Sequence, residues 1–99
     1  MNIERTKTAR GFALLEMTDL YDKKFSIQKS SLATEDAIWF GINDPEPIIL
    51  ASKIIDGGTG WAKYPIPDDV EMTTRMHLSR EQVKCLLPIL QRFADTGEV

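Results

Sequence analysis

Glycines at 57, 58 and 60, followed by Trp61, Lys63 and Tyr64, are the residues of this chain whose types and spacing come nearest to a ligand site. Adjacent glycines let backbone N–H groups converge on an anion, the Lys63 ammonium would add charge, and the two rings offer faces on which a base could stack. Such a site would hold a nucleotide or another small anionic ligand. The wider stretch, DGGTGWAKYPIPDD at 56–69, departs from known phosphate loops. No Lys-Ser/Thr pair ends it, the third glycine of a dinucleotide fingerprint is missing, and no helix pattern follows to present its N-terminus. Protein recognition suits the same residues better. Trp and Tyr are enriched at binding hot spots, Pro65 and Pro67 stiffen the segment, and Asp68 and Asp69 give it an acidic end. A third reading needs no ligand: Trp61 and Tyr64 fold back to cover the open face of a sheet.

Arg75 and His77 form a second constellation. Two residues apart on one strand face, they could jointly hold a carboxylate or phosphate, with Ser26, Gln28, Ser30 and Thr73 beside them if their strands are neighbours. A polar row of this kind is also the wet side of a half-buried sheet. Catalysis has little in its favour. His77 has no sequence-visible nucleophile or orienting carboxylate, and Cys85 has no histidine near it. One cysteine and one histidine fall short of a zinc ligand set, and Asp68, Asp69 and Glu71 do not match a calcium loop. The expectation is a non-enzyme with no catalytic residues, no metal and no cofactor.

The elements that must position these residues follow from hydrophobic period. Residues 1–10 are polar and without a period, and read as a flexible terminus. From Gly11, Ala13, Leu15 and Met17 alternate with their neighbours as a strand does. Phe25 and Ile27 repeat the pattern after TDLYDKK, a hairpin signal. AIWFGI at 37–42 is short and rich in β-branched and aromatic residues. IILASK at 48–53 follows an Asn-Asp-Pro turn as a fourth strand, and EMTTRMHL at 71–78 is a fifth. Between these last two lie seventeen residues, 54–70, without a regular pattern.

The C-terminal helix is the best-marked element. Ser79 suits the N-cap with Gln82 as its capping-box partner, Leu78 and Val83 form a hydrophobic staple, and Gly97 is a stop. Val83, Leu86, Leu87, Leu90, Phe93 and Ala94 fall on one side at 3.6-residue spacing, a stripe expected to pack on the sheet. Pro88 lies opposite the stripe, where a kink would open towards solvent. The expected fold is α+β: an antiparallel sheet of about five strands packed against one C-terminal helix, with 11–99 as a single domain.

Composition agrees with one globular domain: 99 residues, 42% hydrophobic and 27% charged. Net charge is −3 and unevenly placed, residues 36–71 carrying seven carboxylates against only Lys53 and Lys63, and there is no basic stripe, which disfavours direct nucleic-acid binding. No apolar run approaches the roughly 20 residues needed to cross a bilayer, and no basic-then-apolar leader is visible, so no membrane partner and a cytoplasmic location are expected.

FSIQKSSLATEDAIWFGI and MHLSREQVKCLLPILQRFADTGE, taken with the Gly-Thr-Gly-Trp loop between them, resemble a group of small proteins of tailed bacteriophages and prophages. The resemblance spans residues 11–98 and brings no catalytic or binding residues with it, because the group has no assigned activity. It implies a context. Small phage proteins act in the host bacterial cytoplasm by binding and blocking a host protein, antiviral defence components included, and others sequester nucleotide signals. The leading expectation is therefore a non-enzymatic phage accessory protein that binds a host protein through Trp61, Lys63, Tyr64, Asp68 and Asp69. The alternative is a sequestering protein that holds a small anion with Gly57, Gly58, Gly60, Lys63, Arg75 and His77. A structural or assembly role, and homo-oligomerisation, stay open.

Overall fold

Turn chemistry builds the first two hairpins. In the computed structural model, which describes residues 1–99, the Asp19 carboxylate accepts from the N–H groups of Tyr21 and Lys23 at 2.8 and 2.9 Å, and Asp22 takes a φ of 60°. Aspartate enters the left-handed region at less cost than most residues, which suits Asp22 to this position. The turn joins β2 (Ala13–Thr18) to β3 (Lys24–Lys29). Upstream, Thr8 Oγ1 accepts from the Phe12 N–H at 3.1 Å, and this turn returns the chain along β1 (Glu4–Lys7), which pairs antiparallel with β2. Within the 1–10 segment, expected to be a flexible terminus, Glu4–Lys7 form this strand. An edge strand exposed at every residue carries no hydrophobic period, and its order comes from the backbone ladder to β2.

The chain divides into two compact units: Met1–Asn43 with Arg75–Val99, and Asp44–Thr74. The larger unit is an antiparallel sheet in the order β1-β2-β3-β4-β7, where β4 is Ala37–Ile42 and β7 is Met76–Ser79, followed by one helix, α1 (Arg80–Thr96). This is the expected α+β class with five antiparallel strands. Registers align Leu14 with Gln28, Trp39 and His77, and Leu15 with Ile27, Phe40 and Met76. Because side chains alternate between faces, one face carries Leu15, Met17, Phe25, Ile27, Ile38, Phe40, Met76 and Leu78. The other carries Glu16, Ser26, Gln28, Ser30, Trp39 and His77.

The helix ends are formed as the sequence indicates. Ser79 Oγ accepts from the Gln82 N–H at 3.2 Å, Gln82 Oε1 accepts from the Ser79 N–H at 2.9 Å, and Gly97 closes the helix at φ 78° with its N–H on the Phe93 carbonyl. The helix continues through Pro88. Its packing is not as expected. No helix residue is buried; Leu87 and Phe93 stay 57% and 56% exposed, and α1 meets the sheet chiefly at β7, which leads into it. The reason is the junction. Ser79 is both the last residue of β7 and the N-cap of α1, so no connecting residue remains to turn the helix back over its own sheet.

The smaller unit contains a two-stranded antiparallel sheet, β5 (Ile48–Leu50) with β6 (Trp61–Lys63). The expected fourth strand therefore does not join the main sheet. It stops at Leu50, because Ala51–Lys53 form a 3₁₀ turn whose Ala51 carbonyl accepts from the N–H groups of both Ile54 and Ile55. The expected fifth strand begins only at Met76, which leaves Thr73 in the smaller unit. The segment 54–70, read as irregular, contains β6; a three-residue strand is too short for its period to show. No helix of the chain is long and apolar enough to cross a membrane.

Candidate recognition surface

On the short ribbon, the pairing of Ile48 with Lys63 and of Leu50 with Trp61 places these four side chains on one face, with Ile49 and Ala62 on the other. The first face is exposed throughout and the second is half-buried. Trp61 is 66% exposed and Tyr64 51%, so both side chains are open to solvent. Backbone bonds at both ends fix the ribbon, from the Ala51 N–H to the Gly60 carbonyl and from the Tyr64 N–H to the Pro47 carbonyl, at 2.9 and 3.0 Å. Lys63 Nζ lies 3.9 Å from a Glu46 carboxylate oxygen, a loose and solvated ion pair. Asp68 and Asp69 are exposed just after Pro67, whose carbonyl accepts from the Val70 N–H at 3.1 Å.

The glycines make the connection rather than a cradle. Gly57 and Gly60 adopt φ values of 77° and 74°, and the Gly58 N–H donates to the Ile55 carbonyl at 3.0 Å. A Cβ at Gly58 would stand 2.8 Å from the Ala51 carbonyl oxygen. The need for glycine at 57, 58 and 60 is thus met by turn geometry and close backbone approach.

The polar sheet face does bring together residues singled out from sequence. Arg75 Nη1 donates to Gln28 Oε1 at 2.8 Å, and His77 Nε2 is 2.8 Å from Ser30 Oγ. Ser26, in the same row, is 1% exposed. Trp39 is the member that sequence reading missed. Its ring stacks on His77 at 3.9 Å between centroids, 5° from parallel, and the Arg75 guanidinium lies 5.8 Å from it. The signal is present in AIWFGI, because alternation sets Trp39 on the face opposite Ile38 and Phe40, but a run rich in β-branched and aromatic residues does not show which of its faces meets the polar row.

A cleft of about 200 Å³ beside this row is lined by Glu16, Gln28, Asn43 and Arg75, among others. The Asn43 amide donates to Glu16 at 3.2 Å. With a carboxylate at its wall and its guanidinium already bonded, the cleft is poorly arranged for an anion. No three His, Cys, Asp or Glu side chains converge as a metal's ligand set would require. At the far end of the sheet, Asp36 is bonded by Lys29 Nζ at 2.7 Å and lies 3.9 Å from Arg80 Nη1. The hydrogen bond and charge of Lys29, with a smaller contribution from Arg80, hold its carboxyl below the usual aspartate range.

Compared with known protein families, with curated proteins and with solved structures, the chain finds no match in any of the three.

Proposed function

We propose that this chain is a non-enzymatic protein-binding module that engages its partner through the ribbon face of Ile48, Leu50, Trp61 and Lys63, with Tyr64 and the acidic pair Asp68 and Asp69 at its margin. The observation that carries the reading is the exposure of Trp61, at 66%, between the apolar side chains of a backbone-bonded hairpin. A large ring held out of water by nothing in its own chain is the residue type from which binding hot spots are made. The resemblance of 11–98 to small phage proteins supports a host bacterial protein as partner, and antiviral defence as the process acted upon.

The test is capture from bacterial lysate with the wild type, Trp61→Ala and Tyr64→Ala. Trp61→Ala is expected to weaken the captured complex by at least about 2 kcal/mol, roughly thirtyfold, without altering the unfolding midpoint. Identical partners at identical affinity with both variants would overturn the assignment of this face. A nucleotide panel in a thermal-shift assay separates the anion-sequestering alternative, for which a ligand at a hundred times its Kd would add about 2.7 kcal/mol.

A further inference from the structure

The geometry points to a homodimer in which each copy's α1 lies across the apolar sheet face of the other. This inference is independent of the ribbon and its partner. It starts from surface area. A folded monomer of this mass exposes about 5,700 Å², whereas this chain exposes 8391 Å². The excess, about 2,700 Å² per chain and so about 5,400 Å² for two, is at the upper end of what an obligate homodimer removes from water, roughly 2,000–5,000 Å² and above over its two halves.

The excess includes two complementary surfaces of the larger unit. The α1 stripe of Leu86, Leu87, Leu90 and Phe93 is exposed. The sheet face of Leu15, Phe25, Ile27, Ile38 and Phe40 is only half-buried, with Met76 exposed at its edge. A helix stripe and a sheet face are the two halves of an α+β layer pair, and here they belong to one chain but come together only at the first turn of α1, where half-buried Val83 shares a cavity with Ile38 and Leu78. The side of α1 away from the stripe is already satisfied by local polar pairs, Glu81 with Lys84 and Gln91 with Asp95, at 3.2 and 2.9 Å.

A second copy fits better than an unrelated partner. An unrelated protein that covered the helix would leave the sheet face bare, and one that covered the sheet would leave the helix bare. A second copy supplies both at once, reciprocally, and a two-fold exchange closes without leaving a stripe over. The β7–α1 junction supports exchange, because with no connecting residue the helix leaves an edge strand of the sheet instead of reversing onto it.

Sedimentation equilibrium on the full chain is the first test. A mass twice 11.2 kDa is expected, and a folded chain of single mass overturns the proposal. Isotope-filtered NOEs in a mixture of labelled and unlabelled chains then read the arrangement: contacts between Phe93 or Leu90 of one copy and Phe25 or Ile27 of the other are expected. A dimer whose intermolecular contacts lie elsewhere overturns the exchange. Leu87→Glu with Leu90→Glu, two changes that an isolated chain would leave in water, is expected to weaken self-association by roughly a hundredfold or more, because the new carboxylates would be buried unpaired. Unchanged association of that variant also overturns it.

Discussion

The two faces of the main sheet differ in how far the chain itself satisfies them. On the polar face, Arg75 has Gln28 and the Trp39 ring, and His77 has Ser30 and a stack on the same ring. On the apolar face the one ring contact is Phe25 with Phe40, 6.2 Å apart and 6° from parallel, and Met17 at 7% exposure is its one buried large side chain. Hydrogen bonds and ring stacks need only a neighbour across a strand pair. Apolar side chains need a second layer, and the helix that would form it is directed away by a junction without a turn. The difference shows that local pairing and layer formation are separate achievements of a sequence.

Substitutions on the apolar face have the largest expected effect. Phe40→Ala should cost about 3–5 kcal/mol if a partner helix covers the face, with an unfolding midpoint that rises with chain concentration. On a bare face the loss would be about 1 kcal/mol and independent of concentration. Urea titrations at two concentrations decide between them. Trp39→Ala on the polar face should cost about 2 kcal/mol through the His77 stack and the Arg75 contact. Because both partners lie in the same chain, that loss should be the same at both concentrations, and a concentration-dependent loss would remove the contrast between the faces.

Ser79→Ala should cost about 1 kcal/mol, read as loss of helical circular dichroism together with a lower midpoint. A larger loss would mean that the cap also sets the direction of α1. The smallest effect concerns Asp36. Its folded pKa is depressed by Lys29 and then Arg80, so its stabilising contribution is present above the unfolded aspartate value and is lost as pH falls through the lower folded value. Wild type and Asp36→Asn should therefore differ slightly in midpoint near neutral pH and converge in strong acid. An unchanged gap down to strong acid would show that Lys29 and Arg80 do not stabilise the ionised form.

Much of this fold was readable from residue order. The alternation at Ala13 to Met17 and at Phe25 and Ile27, the AIWFGI run and the capping box at Ser79 each specify an element by local chemistry, and each element is present. What was not readable depends on partners distant in sequence. The polar segment of β1 is a strand only because β2 lies beside it, and Ile48 pairs with Lys63 because the 3₁₀ turn at Ala51 redirects the chain. The Arg75–His77 row was legible from spacing, whereas the role of Trp39 needed the register that sets it against His77. That the α1 stripe beyond Val83, from Leu86 to Phe93, stays exposed could not be read from a stripe whose pattern is that of an ordinary packed helix.

Gly58 makes one further consequence visible at the level of heredity. Its missing side chain is what lets the Ala51 and Ile55 carbonyls come within 2.8 and 3.0 Å of the place a Cβ would occupy, and both obstacles are main chain that cannot rotate aside. Every codon change that alters this residue adds a Cβ or ends the chain. In a saturation library selected for folded protein, position 58 should be almost silent, while Gly57 and Gly60, with open space at their Cβ positions and left-handed φ, should admit asparagine and aspartate. The three neighbouring glycines would then show different tolerances: one set by contact and two by torsion.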